Sequence, residues 1–200
     1  VAIYGQTDKL MLKQMLGEAE VGYYGVATAI CAMWTFVLQA IIDSMYPTIL
    51  KLHSVDKNAF NKKNRQLYAI VFYVSTFVSV MFLIFGDWGI NLLYGSEYAP
   101  AGTPLKIVTW YTAFSYLGVA RNAWLVCKDK QKYLKYMYCT AALLNVILNL
   151  VFIPIMGASG AALATLITEI FTSIILPSLL KEMRPNAILM LQAILFWKEK

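Results

Sequence analysis

Six polar residues stand out because they lie within, or at the end of, long runs of apolar residues. They are three carboxylic acids, one arginine and two asparagines: Asp8, Asp43, Arg121, Asn145, Asn149 and Glu169. Such side chains are costly in an apolar environment and usually mark ion or substrate pathways. A carboxylate there can bind a proton or a cation, and a guanidinium matches the oxygens of a phosphate group in a bidentate manner.

A structural role competes with the functional one for each of these residues. Glu169 precedes the next basic residue by twelve positions, roughly 18 Å of helix, so a protonated carboxyl there could hydrogen-bond to a neighbouring helix. Arg121 is only seven positions from the next lysine and could extend to lipid headgroups. Asn145 and Asn149 share one helix face and could simply join two helices. Asp43 is expected near the inner membrane interface.

The elements that carry these residues are long and apolar. The 200-residue chain is 60% hydrophobic and 14% charged, whereas soluble domains are about 25% charged. A bilayer core of about 30 Å needs about 20 apolar helical residues, while a barrel strand would alternate in polarity over about ten. Five runs reach the helical length or come close to it. We therefore predict an all-α, polytopic transmembrane bundle with full spans at about 21–50, 67–85, 105–126, 136–153 and 158–180.

The remaining segments define the expected domain organisation. Residues 1–16 are predicted to be the end of a truncated upstream transmembrane helix, and 17–181 the transmembrane lobe. Residues 182–200 are predicted to be a cytoplasmic tail, in which residues 187–197 either lie on the membrane interface or begin another span. Because the chain opens on Val1 without a signal peptide, we expect it to be part of a longer protein.

Basic residues occur in alternate connecting segments. Lysine or arginine follows the first, third and fifth predicted spans, whereas the segments after the second and fourth carry neither. The positive-inside rule then places the basic segments and the C-terminus in the cytoplasm, in a multi-pass protein of the cytoplasmic membrane. The net charge of +6 could otherwise indicate nucleic acid, but orientation in a membrane accounts for it, and we expect no nucleic-acid partner.

The sequence carries none of the common enzyme motifs considered for a membrane protein of this kind. The sequence has no G-x-x-x-x-G-K-[ST] loop and no H-E-x-x-H motif, and its single histidine and three cysteines form no cluster. We therefore expect no catalytic residues, no metal site and no cofactor. A membrane-embedded glycan polymerase or acyltransferase remains a less favoured alternative, because the predicted outer segments are short.

Several local patterns, taken in order, resemble one family. They are Asp8-Lys-Leu-Met-Leu12, Leu92-Leu-Tyr-Gly-Ser-Glu-Tyr98, Asn145-Val-Ile-Leu-Asn149 and Gly157-Ala-Ser-Gly-Ala-Ala-Leu-Ala-Thr165. Together they closely resemble the C-terminal half of polysaccharide-export flippases of the O-antigen type, in the multidrug/oligosaccharidyl-lipid/polysaccharide superfamily. The resemblance covers nearly the whole chain.

That resemblance implies a MATE-like fold in which two six-helix lobes rock about a central cavity. This chain would be one lobe, with its first helix truncated, and its partners would be the N-terminal lobe, membrane lipids and a lipid-linked (undecaprenyl-diphosphate) oligosaccharide. Substrate would be bound by Arg121, Asn145 and Asn149. The cavity would be lined, or an ion coupled, by Glu169, Asp43 and Asp8. A drug/cation antiporter of the same fold and a purely structural membrane subunit are the alternatives.

Overall fold

The computed structural model describes the backbone of residues 2–195 and the side chains of residues 6–195. Within this range the chain is helical and contains no strand. The α-helices are α1 (Ala2–Leu16), α2 (Glu18–Val55), α3 (Lys57–Tyr94), α4 (Gly102–Ala120), α5 (Asn122–Cys127), α6 (Lys132–Ile170), α7 (Leu176–Leu179) and α8 (Arg184–Leu195). A 3₁₀ helix (Ser96–Ala101) joins α3 to α4, and a π-helical turn (Phe171–Ile175) joins α6 to α7. The predicted all-α membrane bundle is confirmed.

Three helical runs within the described residues are long and apolar enough to cross a membrane: Glu18–Val55, Lys57–Tyr94 and Lys132–Leu179. The first two have 38 residues each, about 57 Å of helix, so they exceed both the bilayer core and the spans predicted for them. The five spans, the truncated helix and the tail stay predictions.

The third helical run doubles back at Gly157. Its backbone there is not helical (φ 56°, ψ −133°). The Asn145 amide nitrogen lies 3.1 Å from the Thr165 hydroxyl, although twenty residues of straight helix would separate them by about 30 Å. Helix α6 is therefore an antiparallel hairpin, with a first arm over 132–156 and a second arm over 158–170.

The run predicted as one span over 105–126 is divided between α4 and α5. The two helices meet at a turn centred on Arg121. The arginine side chain does not extend towards headgroups, since it is only 4% exposed and reaches into the bundle. A buried charged side chain needs hydrogen-bond acceptors inside the protein, and those acceptors belong to the π-helical turn described below.

Buried apolar residues form two clusters, one at each end of the bundle. The cluster near α1 and the hairpin includes Leu12, Tyr24 and Ile90, and the cluster near α5 and α8 includes Leu67 and Trp124. The outer surface is apolar as well. Large side chains far apart in the sequence are 65–75% exposed: Phe36, Phe77, Leu143 and Ile155. Such a surface suits contact with lipid and accounts for the long apolar helices.

Candidate functional site

A hydrogen-bonded network surrounds the buried carboxylate of Asp8. One carboxylate oxygen accepts from the Asn149 amide at 2.6 Å, and the other accepts from the Tyr24 hydroxyl at 2.7 Å and the Thr165 hydroxyl at 2.8 Å. The Asn149 amide also donates to the Asn145 side-chain oxygen at 3.1 Å. Asp8, Tyr24, Asn145 and Asn149 have no exposed surface. We call these four residues and Thr165 the Asp8 network.

The network joins four helical segments that lie far apart in the sequence. Asp8 is on α1, Tyr24 on α2, the two asparagines on the first arm of the hairpin and Thr165 on the second arm. Asn149 and Thr165 are each eight residues from Gly157. Residues equidistant from a tight reversal lie at the same level of the two arms, and this is why their side chains meet.

Three features of the sequence build the hairpin. Gly157 adopts a positive φ that side chains other than glycine's rarely tolerate. The Glu20 carboxylate on α2 accepts a hydrogen bond from the Ala158 backbone N–H at 2.6 Å, which caps the start of the second arm and favours its helix dipole. A Cβ at Gly160 would collide with the Phe152 carbonyl, so the two arms approach most closely at a glycine.

The Asp8 network is rich in oxygen and carries one formal negative charge when Asp8 is ionised. Among residues 6–195, no lysine or arginine forms an ion pair with Asp8. The Asn149 side-chain oxygen is buried and has no hydrogen-bond donor. An unpaired charge and an unsatisfied acceptor are both costly inside an apolar bundle. Carboxylate, amide and hydroxyl oxygens are the ligands that hard cations prefer, so the arrangement can accept a small cation or a proton.

A second polar cluster lies around Arg121, where α4 meets α5. The guanidinium Nη1 donates to the carbonyl oxygens of Thr172 and Ser173 at 3.3 and 3.4 Å. Both carbonyls belong to the π-helical turn, whose widened hydrogen-bonding pattern leaves backbone oxygens available. The Arg121 Nε has no hydrogen-bond partner among the described residues. The arginine thus holds the π-helical turn and retains an unused donor.

Glu169 lies on the wall of the same cluster. It is 7% exposed and lines a cavity of about 40 Å³ together with Arg121, Ser115 and Thr172. The Arg121–Glu169 pair is not within ion-pair distance. A cavity of this size holds a few water molecules at most, since one water needs about 10–15 Å³. It has no room for a phosphate group without a conformational change.

The structure thus separates the six residues singled out in the sequence into three locations. Asp8, Asn145 and Asn149 share the Asp8 network, Arg121 and Glu169 share the second cluster, and Asp43 belongs to neither. Asp43 is on the exposed face of α2, where its carboxylate accepts from the Gln39 amide at 2.8 Å. Its role, like those of the other five residues, stays a prediction.

Sequence reasoning missed several members of the two clusters. Tyr24 and Thr165 complete the Asp8 network, and Ser115, Thr172 and Ser173 surround Arg121. Serine and threonine are common in membrane helices, where their hydroxyls bond to backbone carbonyls. These residue types alone therefore do not indicate a functional site. The equal distances of Asn149 and Thr165 from Gly157 along the sequence were a usable indication that Thr165 lies beside Asn149.

The helical bundle, its apolar surface and its buried polar network define a polytopic membrane protein. Residues 1–103 match the family described as polysaccharide biosynthesis protein, and the chain belongs to this family. Its sequence is 30% identical to the probable flippase AglR of Haloferax volcanii over 183 residues, which cover 86% of this chain and 37% of that protein. The chain therefore spans little more than a third of this relative's length. No solved structure gives a significant match.

Proposed function

We propose that the chain forms one lobe of a flippase that moves a lipid-linked oligosaccharide across the cytoplasmic membrane during surface polysaccharide biosynthesis. Its family and a relative named as a probable flippase support flippase activity. The observation that carries the proposal is a fully buried carboxylate, without a cationic partner among the described residues, inside an apolar helical bundle. A transport protein can use such a site to couple an ion to movement.

The Asp8 network is the proposed coupling site. A monovalent cation or a proton would neutralise Asp8, and the free Asn149 oxygen would supply a further ligand for a cation. The network joins α1, α2 and both arms of the hairpin, so binding of the ion would draw these segments together. Release of the ion would leave the Asp8 charge unpaired, and the segments would then move apart to expose it to water. The site could therefore bias a two-state rocking motion of the lobe.

The Arg121 cluster is the proposed contact for the diphosphate of an undecaprenyl-diphosphate-linked substrate. The unused Nε and the two long hydrogen bonds to the π-helical turn leave the guanidinium able to exchange partners. The small cavity implies that binding requires the π-helical turn to move away from Arg121. Glu169, on the same wall, would then be exposed to the substrate path. In this scheme the side chains of Asn145 and Asn149 belong to the ion site. They could contact a sugar only after turning away from Asp8.

The whole transporter would need a second lobe, because one lobe can provide only half of a central cavity. We propose that the N-terminal lobe of the same protein is that partner and that Asp43, on the exposed face of α2, lines the cavity between them. The C-terminus would be cytoplasmic, as the charge pattern predicts. The proposed activity is transport without covalent chemistry on the glycan.

The test is export of surface glycan by the full-length protein in a strain that lacks it. Asp8→Asn, Arg121→Ala and Glu169→Gln should each reduce export, while each variant is still found in the membrane at normal levels. Asp129→Asn is the matched control, because it makes the same chemical change at an exposed position. Normal export by all three site variants would refute the assignments, and normal glycan in the deletion strain would refute the function.

A further inference from the structure

Two adjoining grooves lie at the basic end of the bundle, beside α8. The first has a volume of about 510 Å³ and is lined by Lys57, Trp124, Lys128, Lys130 and Ile188, among others. The second has about 540 Å³ and includes Lys62 and Arg65. Asn61, Leu189 and Gln192 line both. Volumes of this size are typical of small-molecule sites. We call them the α8 grooves.

The α8 grooves carry a surplus of positive charge. Five basic residues and two acids line them: Lys57, Lys62, Arg65, Lys128 and Lys130, with Asp56 and Glu182. Both acids are already engaged. Glu182 pairs with Lys130, and Asp56 caps α3 by accepting from the backbone N–H groups of residues 58 and 59 at 2.7 and 3.1 Å.

In the first groove, this leaves two lysines available to a ligand. Among the described residues, neither Lys57 nor Lys128 forms an ion pair. The Lys128 ammonium lies 5.4 Å from the centre of the Phe60 ring, which holds it beside the groove by a cation–π contact. The charge of the groove is therefore complementary to an anion.

The first groove also has an apolar wall, which includes Trp124, Pro185, Ile188 and Leu189. Helix α8 buries Met190 against the core and leaves Ile188 47% exposed in this wall. It packs along α3, where the Asn186 amide donates to the Tyr68 hydroxyl at 2.6 Å. Cations on one wall and apolar side chains on the other suit an amphiphile better than a free anion.

The position along α3 agrees with an amphiphile in the membrane interface. Eight of the ten residues over 57–66 are polar, and the helix becomes predominantly apolar from residue 67. Ten residues correspond to about 15 Å of helix, so the grooves begin where the apolar stretch ends and extend outward. This is the level at which phospholipid headgroups lie.

We propose that the first α8 groove binds the phosphate headgroup of an anionic bilayer phospholipid, with Lys57 and Lys128 at the phosphate and the apolar face of α8 against the glycerol and upper acyl chains. Basic pockets between membrane helices hold anionic headgroups by this combination of charge and apolar contact. The lipid is a resident ligand of the lobe and not the transported substrate. The inference does not depend on the proposed transport function.

The experiment measures retention of phosphatidylglycerol by the full-length protein in phosphatidylcholine nanodiscs, by native mass spectrometry and by thermal unfolding. Lys57→Gln combined with Lys128→Gln should weaken phosphatidylglycerol retention by roughly twenty-five-fold, because each lysine near an anionic headgroup contributes about a fivefold preference. Lys132→Gln combined with Lys135→Gln removes the same charge from exposed positions outside the first groove and should leave retention unchanged.

Two further measurements make the outcome decisive. Lys57→Arg combined with Lys128→Arg preserves the charge and should preserve retention, which separates loss of a site from loss of folding. Inorganic phosphate should neither displace the lipid nor raise the unfolding temperature as phosphatidylglycerol does. Equal retention by the glutamine pair and the wild type, equal losses in the groove pair and the control pair, or full competition by inorganic phosphate would each overturn the proposal.

Discussion

Replacing Asp8 by asparagine should abolish ion-dependent stabilisation of the protein while preserving the shape of the network. The introduced side chain has the same size, and its oxygen can still accept from the Tyr24 and Thr165 hydroxyls. Its amide would face the Asn149 amide, which can rotate to present the oxygen that has no donor in the wild type. Hydrogen bonding is therefore largely retained, and the formal charge is what changes.

The magnitude follows from that charge. Two unit charges about 4 Å apart attract by about 4 kcal/mol at an effective dielectric of 20, so the loss of one lowers cation affinity by about a thousandfold. A cation present at about 100 times its dissociation constant stabilises the folded state by about 2.7 kcal/mol. A thousandfold weaker site at the same concentration contributes only about 0.1 kcal/mol or less.

The assay compares unfolding temperatures in sodium and in a large organic cation at constant ionic strength, repeated across a pH series. We expect a sodium-dependent or pH-dependent rise for the wild type of roughly 5–10 °C, given about 2–4 °C per kcal/mol for a chain of this length. Asp8→Asn should show neither, whereas Asp129→Asn should behave as the wild type does. Persistence of the full ion-dependent shift in Asp8→Asn would show that the network does not bind the ion.

Three other substitutions test the surrounding structure. Arg121→Lys keeps the charge but loses the two guanidinium contacts to the π-helical turn, so the free energy of unfolding should fall by about 2–4 kcal/mol in chemical denaturation. Gly157→Ala should cost about 2–3 kcal/mol and lower the unfolding temperature, since the positive φ disfavours a side chain and the added Cβ would meet the Glu20 carboxylate. Lys130 lowers the pKa of Glu182 from its usual 4.5 by hydrogen bonding, so this pair's contribution is fully present above pH 4.5 and is lost as the pH falls through the lowered value. Glu182→Gln should remove that acid-dependent loss in a pH series of unfolding temperatures, and an unchanged pH profile would contradict it.

Much of the fold could be predicted because a bilayer imposes simple rules on sequence. Apolar length indicated the helices. The spans predicted over 21–50, 67–85 and 136–153 lie within α2, α3 and the first arm of the hairpin, and the span over 158–180 covers the second arm, the π-helical turn and α7. The division at Arg121 could not be predicted, because depth was judged by distance along one helix. A side chain that could extend to the headgroups can also turn inward, and which occurs depends on acceptors that a distant π-helical turn provides.

The candidate site was predictable in its residue types and not in its grouping. Costly polar residues in apolar runs identified Asp8, Asn145, Asn149 and Arg121, and each of them is buried. The pairing of Asp8 with the asparagines depends on contacts across 141 residues of sequence, for which periodicity gives no signal. Exposed Asp43 met the same criterion but belongs to neither cluster, because burial depends on which helix face packs inward.

The second arm of the hairpin connects the two clusters physically. Thr165 donates to Asp8 from near the middle of this arm, and the Thr172 backbone carbonyl, two turns further on in the π-helical turn, accepts from Arg121. One continuous helical run therefore contacts both groups, through the Thr165 side chain and through backbone carbonyls of the π-helical turn. Loss of the Thr165 contact would release the middle of the arm from the Asp8 network, while Glu20 still caps its start. The π-helical turn that follows the arm has the least regular hydrogen bonding of this run. The π-helical turn is therefore a more favourable hinge position than the regular arm, and a hinge there would let the proposed ion site control access to Arg121.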